Sequence, residues 1–519
     1  MKDKLYKISN FKNIDPFLMS ITSADNHWMY LSSSGCLSAG RQKAEHALFP
    51  YVTDDLLHKN AHFTGPITCI STELDNKKYS WQPFSNQIDI YKKDQNLYKN
   101  SLGNRIVFEE INHTLGLTFL YSWQASTKYG FVKKTKLLNH SGKELYVKVI
   151  DGLRNILPAG VNLRTQQEMS NLANAYKVSE GNSDYNYALY YMNALLMDKP
   201  DPGESLFSNI VWSCSNENIE LSVNEKSVST FLSNNYFEKD HLLKGKEGSF
   251  LNYIHKPLLP DHEIIWYIIA DVQKSQSDIS AIISDLKGND CIQEKLENSL
   301  SDNYDAFEKN IGMADGFQCT NIDMNDLHHT ANVTYNVLRG GIFFDNYTIQ
   351  KNSFELFLQK RNKKIFKTYQ SNISQLPNSF NIKDLIKFGD KLNEPSLRRL
   401  CREYLPLTLG RRHGDPSRPW NHFNILTKDI NGQPVLYFEG NWRDIFQNWE
   451  ALGLSYPNSW ESMVSIFLNA TSADGYNPYR ITSDGIDWEV IEPDDSWSHI
   501  GYWNDHQIIY LLKLLEHLN

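Results

Sequence analysis

The first half of the chain is patterned in steps of two. Leu145, Val147 and Val149 alternate with Tyr146 and Lys148, which is the spacing of a strand with one buried face. Comparable runs recur at residues 28–31, 67–72, 116–125, 129–138, 209–214 and 263–272, with turn residues between them. The stretch Asn139-His140-Ser141-Gly142-Lys143 predicts a hairpin joining 131–138 to 145–150. No strand–helix–strand rhythm appears, so residues 1–272 are expected to stack antiparallel sheets as a sandwich, not to form a parallel sheet.

Near residue 273 the period changes. Ile279, Ile282, Ile283 and Leu286, then Ile292, Leu296 and Leu300, fall at helical spacing and predict a helical linker over 273–325, broken at Gly288. Residues 326–519 predict helices at 331–339, 351–363, 396–404, 442–452, 460–469 and 505–518, and Gly340-Gly341 stops the first of them. The fold class expected is therefore α+β and multidomain. The last helix is apolar nearly all round and must be buried on most sides. Almost nothing follows it, so either the earlier domains cover it or the chain is a piece of something longer. In the second case an apolar patch near Ile508, Leu511, Leu512 and Leu515 is expected.

Composition narrows the function. A chain of 519 residues exceeds one ordinary core. A net charge of −9 gives no basic footprint for nucleic acid. The N-terminus lacks the apolar run of a signal peptide, and no 18-residue apolar stretch occurs, so no membrane partner and a cytoplasmic location are expected. Six scattered cysteines show no zinc spacing, and no metal is expected. Nucleotide, metalloprotease and serine-hydrolase motifs are absent.

The chemistry concentrates at the end. Residues 438–519 hold six of the twelve tryptophans, and flat aromatic faces beside planar polar groups suit a sugar ring. On the 440–452 helix, Trp442, Ile445, Phe446, Trp449 and Leu452 fall on one side, and Arg443, Asp444, Gln447 and Asn448 on the other. That polar stripe suits hydroxyl recognition, and equally a solvated face with an Arg–Asp pair. Asp487, Glu489, Glu492, Asp494 and Asp495 are interleaved with Trp488 and Trp497, and Trp503 follows. Crowded carboxylates raise one another's pKa and can keep one protonated as a general acid; an acidic surface loop is the plainer alternative. The segment of Arg411, Arg412, His413 and Arg418 suits a phosphate, or local salt bridges. Tyr476-Asn477-Pro478-Tyr479-Arg480 suits a sugar subsite or a loop anchor, and residues 32–35 read as a tight structural turn with a rim role.

The order of parts resembles the cellobiose/chitobiose phosphorylase and cyclic β-1,2-glucan synthetase family of glycoside phosphorylases. Gly440-Asn441-Trp442-Arg443-Asp444-Ile445-Phe446-Gln447-Asn448 looks like that family's aromatic-Arg-Asp-x-x-Gln-Asp segment. Trp503-Asn504-Asp505-His506-Gln507-Ile508-Ile509-Tyr510-Leu511 is similar to its Ser-Asp-Asp-x-x-Trp-Leu segment, whose second Asp holds the glycone. The resemblance implies an N-terminal β-sandwich, a helical linker and the first part of an (α/α)6 barrel in 326–519. It carries a glycone-binding role to Asp505, and to Arg443 and Asp444, with Gln447, Trp488 and Trp503 as further sugar contacts. His499 stands near the place of a family Arg and joins Arg412 and His413 as a phosphate ligand.

It implies inverting phosphorolysis of a β-linked oligosaccharide, with inorganic phosphate as co-substrate and no other cofactor. One acid protonates the glycosidic oxygen while phosphate attacks the anomeric carbon from the opposite face. The family's general acid lies downstream of both segments. A complete barrel needs on the order of 300 residues, and 194 remain from Asp326, so the acid is expected to be absent, with Glu489, Asp494 and Asp495 as fallback. A chain cut in this way is expected to self-associate or to pair with a second chain that completes the barrel. Two other readings stay open: an inverting hydrolase on the same barrel, and a non-catalytic carbohydrate-binding or assembly subunit.

Overall fold

The structure, a computed structural model, describes residues 4–85, 90–195, 203–288, 291–410, 414–418, 422–429, 432–488, 502–503 and 507–519. It divides into two compact units. The first runs to Ala306 and takes in the segment around Asp415, and the second holds Phe307 onward. The division falls inside the helix Ile292–Met313.

The first unit is a sandwich of antiparallel sheets, as the alternation predicts. Leu117–Ser126, Gly130–Asn139, Glu263–Lys274 and Ser208–Ser215 lie side by side in the middle of a ten-stranded sheet. Glu220–Ser222, Gly248–Leu258, Leu145–Ile156, Gly65–Leu74 and Lys77–Trp81 form a five-stranded one. Phe119, Trp123 and Trp266 from the large sheet meet Val147, Val149 and Ile254 from the small one in one core. The opposite face of the large sheet carries Val132, Ile210, Trp212 and Ile269. The helices Gln276–Lys287 and Ile292–Met313 cover it through Ile282, Leu286, Leu296 and Leu300. The break comes at Gly288, which caps the first of these helices.

One expected pairing is overturned. Gly130–Asn139 and Leu145–Ile156 do not form a hairpin. The first pairs with Leu117–Ser126 and Glu263–Lys274, the second with Gly248–Leu258 and Gly65–Leu74. The short loop between them crosses from one sheet to the other, a gap of about 10 Å. Alternation fixes which face of a strand is buried, but not which neighbour it takes. Here both strands are central and need two partners each.

At the centre of the sandwich lies a charge pair. Asp151 receives both carboxylate contacts from Lys133 Nζ, at 2.6 and 2.7 Å. Its oxygens also accept from Thr68 Oγ1 at 2.7 Å and from Trp266 Nε1 at 2.7 Å. Lys133 is 0% and Asp151 1% exposed. Burial pushes the Lys133 ammonium below its usual pKa, against the attraction of Asp151.

The second unit is mainly helical. Asp323–Gly340 packs against Trp442–Ser455, which with Trp460–Ala470 packs against Gln507–Leu518. Gly341 ends the first helix with a φ of +92°, a left-handed value that suits glycine. Within the last helix Leu511 and Leu514 are buried while Ile508, Ile509 and Leu512 are exposed; Leu511 is thus not part of an open patch. Residues 343–406 stand apart. Their helices Lys351–Arg361, Lys363–Ser374, Ile382–Leu392 and Pro395–Glu403 share a core of their own, among them Phe354, Leu358, Ile373, Leu385, Leu397 and Leu400. The ends of this stretch meet where Ile342–Phe343 pairs with Leu407–Thr408. The helices expected at 351–363 and 396–404 thus belong to a module, not to a series continuous with Trp442–Ser455. Residues 351–363 moreover split at Asn362, whose side chain caps the second helix.

Two outcomes follow from the buried charges. Asp151→Ala strands an ammonium in the core and should cost about 3–5 kcal/mol in denaturant unfolding; adding Lys133→Met should recover part of it. His27 is fully buried among Arg41, Asp25, Asp271 and Lys274, and burial first, then Arg41, lowers its pKa to about 3. Its folded pKa lies below the unfolded one, so the unfolded chain binds the extra proton and stability falls as pH drops from about 6.5 toward 3. Between pH 6.5 and 5 this one group should cost about 2 kcal/mol, seen as a lower melting temperature that His27→Gln makes less pH-dependent.

Candidate sugar site

The start of the Trp442–Ser455 helix is set by a small sheet. Glu439–Asn441 pairs with Arg480–Thr482, which pairs with Ile486–Asp487. Asn441, Arg480 and Asp487 lie in one row across it. Asn441 also caps the helix, its side chain accepting from the Arg443 N–H at 3.1 Å. Trp442 N–H donates to the Tyr479 carbonyl at 3.0 Å. Gly440 sits where a Cβ would come within 2.1 Å of Ile445, so only glycine lets the strand press against the helix.

Arg480 holds this frame together. It contacts Asp487 at 2.6–2.7 Å and Glu439 at 3.2 Å, and Glu439 accepts from the Tyr437 hydroxyl at 2.8 Å. Burial works against the guanidinium charge, but Glu439 and Asp487 outweigh it and raise the Arg480 pKa above its usual value. Burial first, and Glu439 next, push the Tyr437 hydroxyl up. Asp487, expected as one of a crowd of mutually repelling carboxylates, is thus paired with a cation. Glu439 was not foreseen; the only signal was a lone acid among apolar and aromatic neighbours.

Beyond Asp487 comes an aromatic platform. Trp488 stacks on Tyr476 with centroids 6.0 Å apart and planes 8° off parallel. Trp503 meets Tyr476 edge-on at 5.1 Å, through the pairing of Tyr476–Asn477 with Tyr502–Trp503. Trp488 is 41% and Trp503 62% exposed. Indoles so open, yet fixed by stacking and strand pairing, present flat faces to solvent.

The helix face follows the expected split in most positions. Trp442, Ile445, Phe446, Trp449 and Leu452 are buried, while Arg443 and Gln447 are exposed and Asp444 is half-buried. Asn448 is the exception. It is buried and donates to Asn336 Oδ1 at 2.8 Å, because the Asp323–Gly340 helix covers that side. The start of this helix, after Asn441, and Trp488, after Asp487, lie at the two ends of the same row, with Arg480 between them. Asp505, the fallback acids Glu489, Asp494 and Asp495, and the expected phosphate ligands Arg412, His413 and His499 lie outside the described residues.

The module 343–406 grips the same frame. Lys360 pairs with Asp484 at 2.6 Å in the turn between the central strand Arg480–Thr482 and the edge strand Ile486–Asp487, and Arg361 donates to the Thr482 carbonyl at 3.3 Å. Arg402 pairs with Glu461 at 2.7 Å, and Glu403 accepts from Asn469 at 2.7 Å.

Residues 343–406 match the model of glycoside hydrolase family 149 insertion domain 1. No curated protein matches the chain. Solved structures that match include a bacterial glucoamylase complexed with acarbose, at 10% identity over 90% of this chain and 62% of its own, TM-score 0.32. A human-microbiome protein described as a kojibiose phosphorylase matches at 10% identity over 86% of this chain and 49% of its own, TM-score 0.32. A GalM/aldose epimerase homologue from C. elegans matches at 8% identity over 50% of this chain, TM-score 0.28. The chain therefore spans less than two thirds of the first two structures' length. The family match covers the module 343–406, an insertion domain of a glycoside hydrolase family, and not the rest of the chain. It does not reach the narrower cellobiose/chitobiose phosphorylase family that two of the chain's segments resemble.

Arg480→Met should leave Glu439, which is 4% exposed, without a counter-charge. A loss of about 3 kcal/mol is expected, together with a weakened near-ultraviolet circular dichroism signal as Trp488 loses its fixed neighbour.

Proposed function

We propose that the second unit carries the sugar site of an inverting glycoside phosphorylase acting on β-linked oligosaccharides. The observation that carries this reading is the open Tyr476–Trp488–Trp503 platform at one end of the row that also starts the Arg443–Asp444 helix. Indole faces stack on the C–H face of a pyranose, and Arg443, Asp444 and Gln447 address its hydroxyl rim. Asp505 binds the glycone, and Arg412, His413 and His499 hold inorganic phosphate. Phosphate in place of a base-activated water leaves one carboxylic acid as the only protein group that must transfer a proton. That acid comes from the remainder of an (α/α)6 barrel, supplied by further sequence or by a second chain. Among the described residues, Asp487 is held by Arg480 and so is not offered as the second, base-acting carboxylate that hydrolysis would require.

Calorimetry with β-linked disaccharides tests the site. Asp505→Ala should weaken binding by about 2 kcal/mol or more, and Trp488→Ala by about 1–3 kcal/mol if its stacking resembles that of bases on aromatic rings. Unchanged binding in both would remove the platform from the site. Incubation with and without phosphate should give a sugar 1-phosphate only with phosphate, and only once the acid is present. Sugar release without phosphate would establish the hydrolase instead.

A further inference from the structure

The first unit holds a groove of about 920 Å³ that shares no residue with the sugar platform. It follows the edge of the five-stranded sheet. Residues 65–69 pair with Leu145–Ile156 on one side, while Lys77–Trp81 begins its own pairing only at Ile70. Past the end of that strand, the loop 82–85 forms one wall, and the helix Lys226–Asn234 contributes another.

Tyr121 reaches this groove from the core. Its ring stacks on Phe108 at 4.9 Å and 11°, meets Phe84 edge-on at 5.6 Å, and lies under Lys133 Nζ at 5.1 Å. It is 4% exposed, yet its hydroxyl makes no hydrogen bond among the described residues. Buried hydroxyls are normally partnered, and the space it lines is the groove. The Gln82 side chain lines the same space and is likewise without a hydrogen bond among the described residues.

Phe84 is the strained member. Its φ of +64° is rare for a bulky residue, and such strain persists only where the surroundings enforce it. The enforcing group is Glu110, fully buried. It accepts from the Phe84 N–H at 2.6 Å, from Trp81 Nε1 at 2.7 Å and from Gln95 Nε2 at 2.6 Å. The result is a half-buried aromatic ring fixed in the groove wall. Lys12 stands beside it. Burial lowers the pKa of its ammonium, with the attraction of Glu110 opposing, and no described carboxylate forms an ion pair with it. Arg154 adds a second cation, fixed by the carbonyls of Ala61 and His62 and paired at 3.6 Å with Glu225, which lines the groove as well.

We propose that this groove binds a hexose phosphate: the phosphate at the Lys12 and Arg154 cations, the sugar hydroxyls on Tyr121 and Gln82, and the ring against Phe84. A bare anion would use the cations but leave the tyrosine hydroxyl, the amide and the aromatic wall idle. A neutral sugar would leave Lys12 uncompensated. The site is independent of the reading of the second unit.

Calorimetry on the full chain with glucose 6-phosphate, glucose 1-phosphate, glucose and inorganic phosphate tests this. At least one hexose phosphate should bind more tightly than glucose or phosphate alone. Lys12→Met and Tyr121→Phe should each weaken it about tenfold, as for a lost charged or buried hydrogen bond, while Trp488→Ala should not change it. Tyr121→Phe removes one oxygen, and Lys12→Met lies on the rim, so an unchanged melting temperature in either keeps the comparison valid. No hexose phosphate binding, or binding that both variants retain, overturns the proposal. Equal affinity for inorganic phosphate and hexose phosphate also overturns it, reducing the groove to a simple anion site.

Discussion

The first unit depends on one buried carboxylate. Asp151 sits in the small sheet, with Thr68 opposite it on the neighbouring strand. Lys133 and Trp266, which donate to it, belong to the large sheet. The two sheets are therefore joined by charge as well as by apolar packing. A slip of one residue in either strand would turn the pair outward and leave a charge unmatched in the core. The interaction buys register: Lys133 also holds the Tyr121 ring, Thr68 lines the groove, and Arg154 follows Asp151 along the same strand.

The balance of forces in the second unit is different. Its frame is a small sheet whose row of Asn441, Arg480 and Asp487 is tied by a guanidinium between two carboxylates. The helix, its cap and the aromatic platform all depend on that row. Distant residues in the module 343–406 reach the same hairpin through Lys360 and Arg361, so an element far from the platform in sequence sets the position of its edge.

Much of the architecture was legible because burial imposes periodicity. Leu145, Val147 and Val149 announced an inward strand face, and Trp442, Phe446 and Trp449 an inward helix face; both are where the pattern put them. Partners were not legible. The loop 139–143 has hairpin chemistry but spans two sheets, since local turn residues say nothing about the second neighbour a central strand requires. Asn448 read as polar surface because its covering helix lies more than a hundred residues upstream. Asp487 read as one of a set of repelling acids because its cation, Arg480, is recruited by a strand register that no local spacing encodes. In the candidate site, aromatic content was visible in the sequence, while the ionic frame that orients it was not.

The paired stem at Ile342–Phe343 and Leu407–Thr408 gives residues 343–406 the character of a cassette. Its two ends are held at strand spacing and its core is its own. The host chain meets the cassette at this closed doorway, at the Tyr347–Tyr456 ring contact, along Pro395–Glu403 against Trp460–Ala470, and at a few ion pairs and hydrogen bonds. Whatever fills that doorway, from a tight turn to a whole domain, presents the same two ends to the host. This is an architecture in which a lineage can change the insert without renegotiating the fold beneath it.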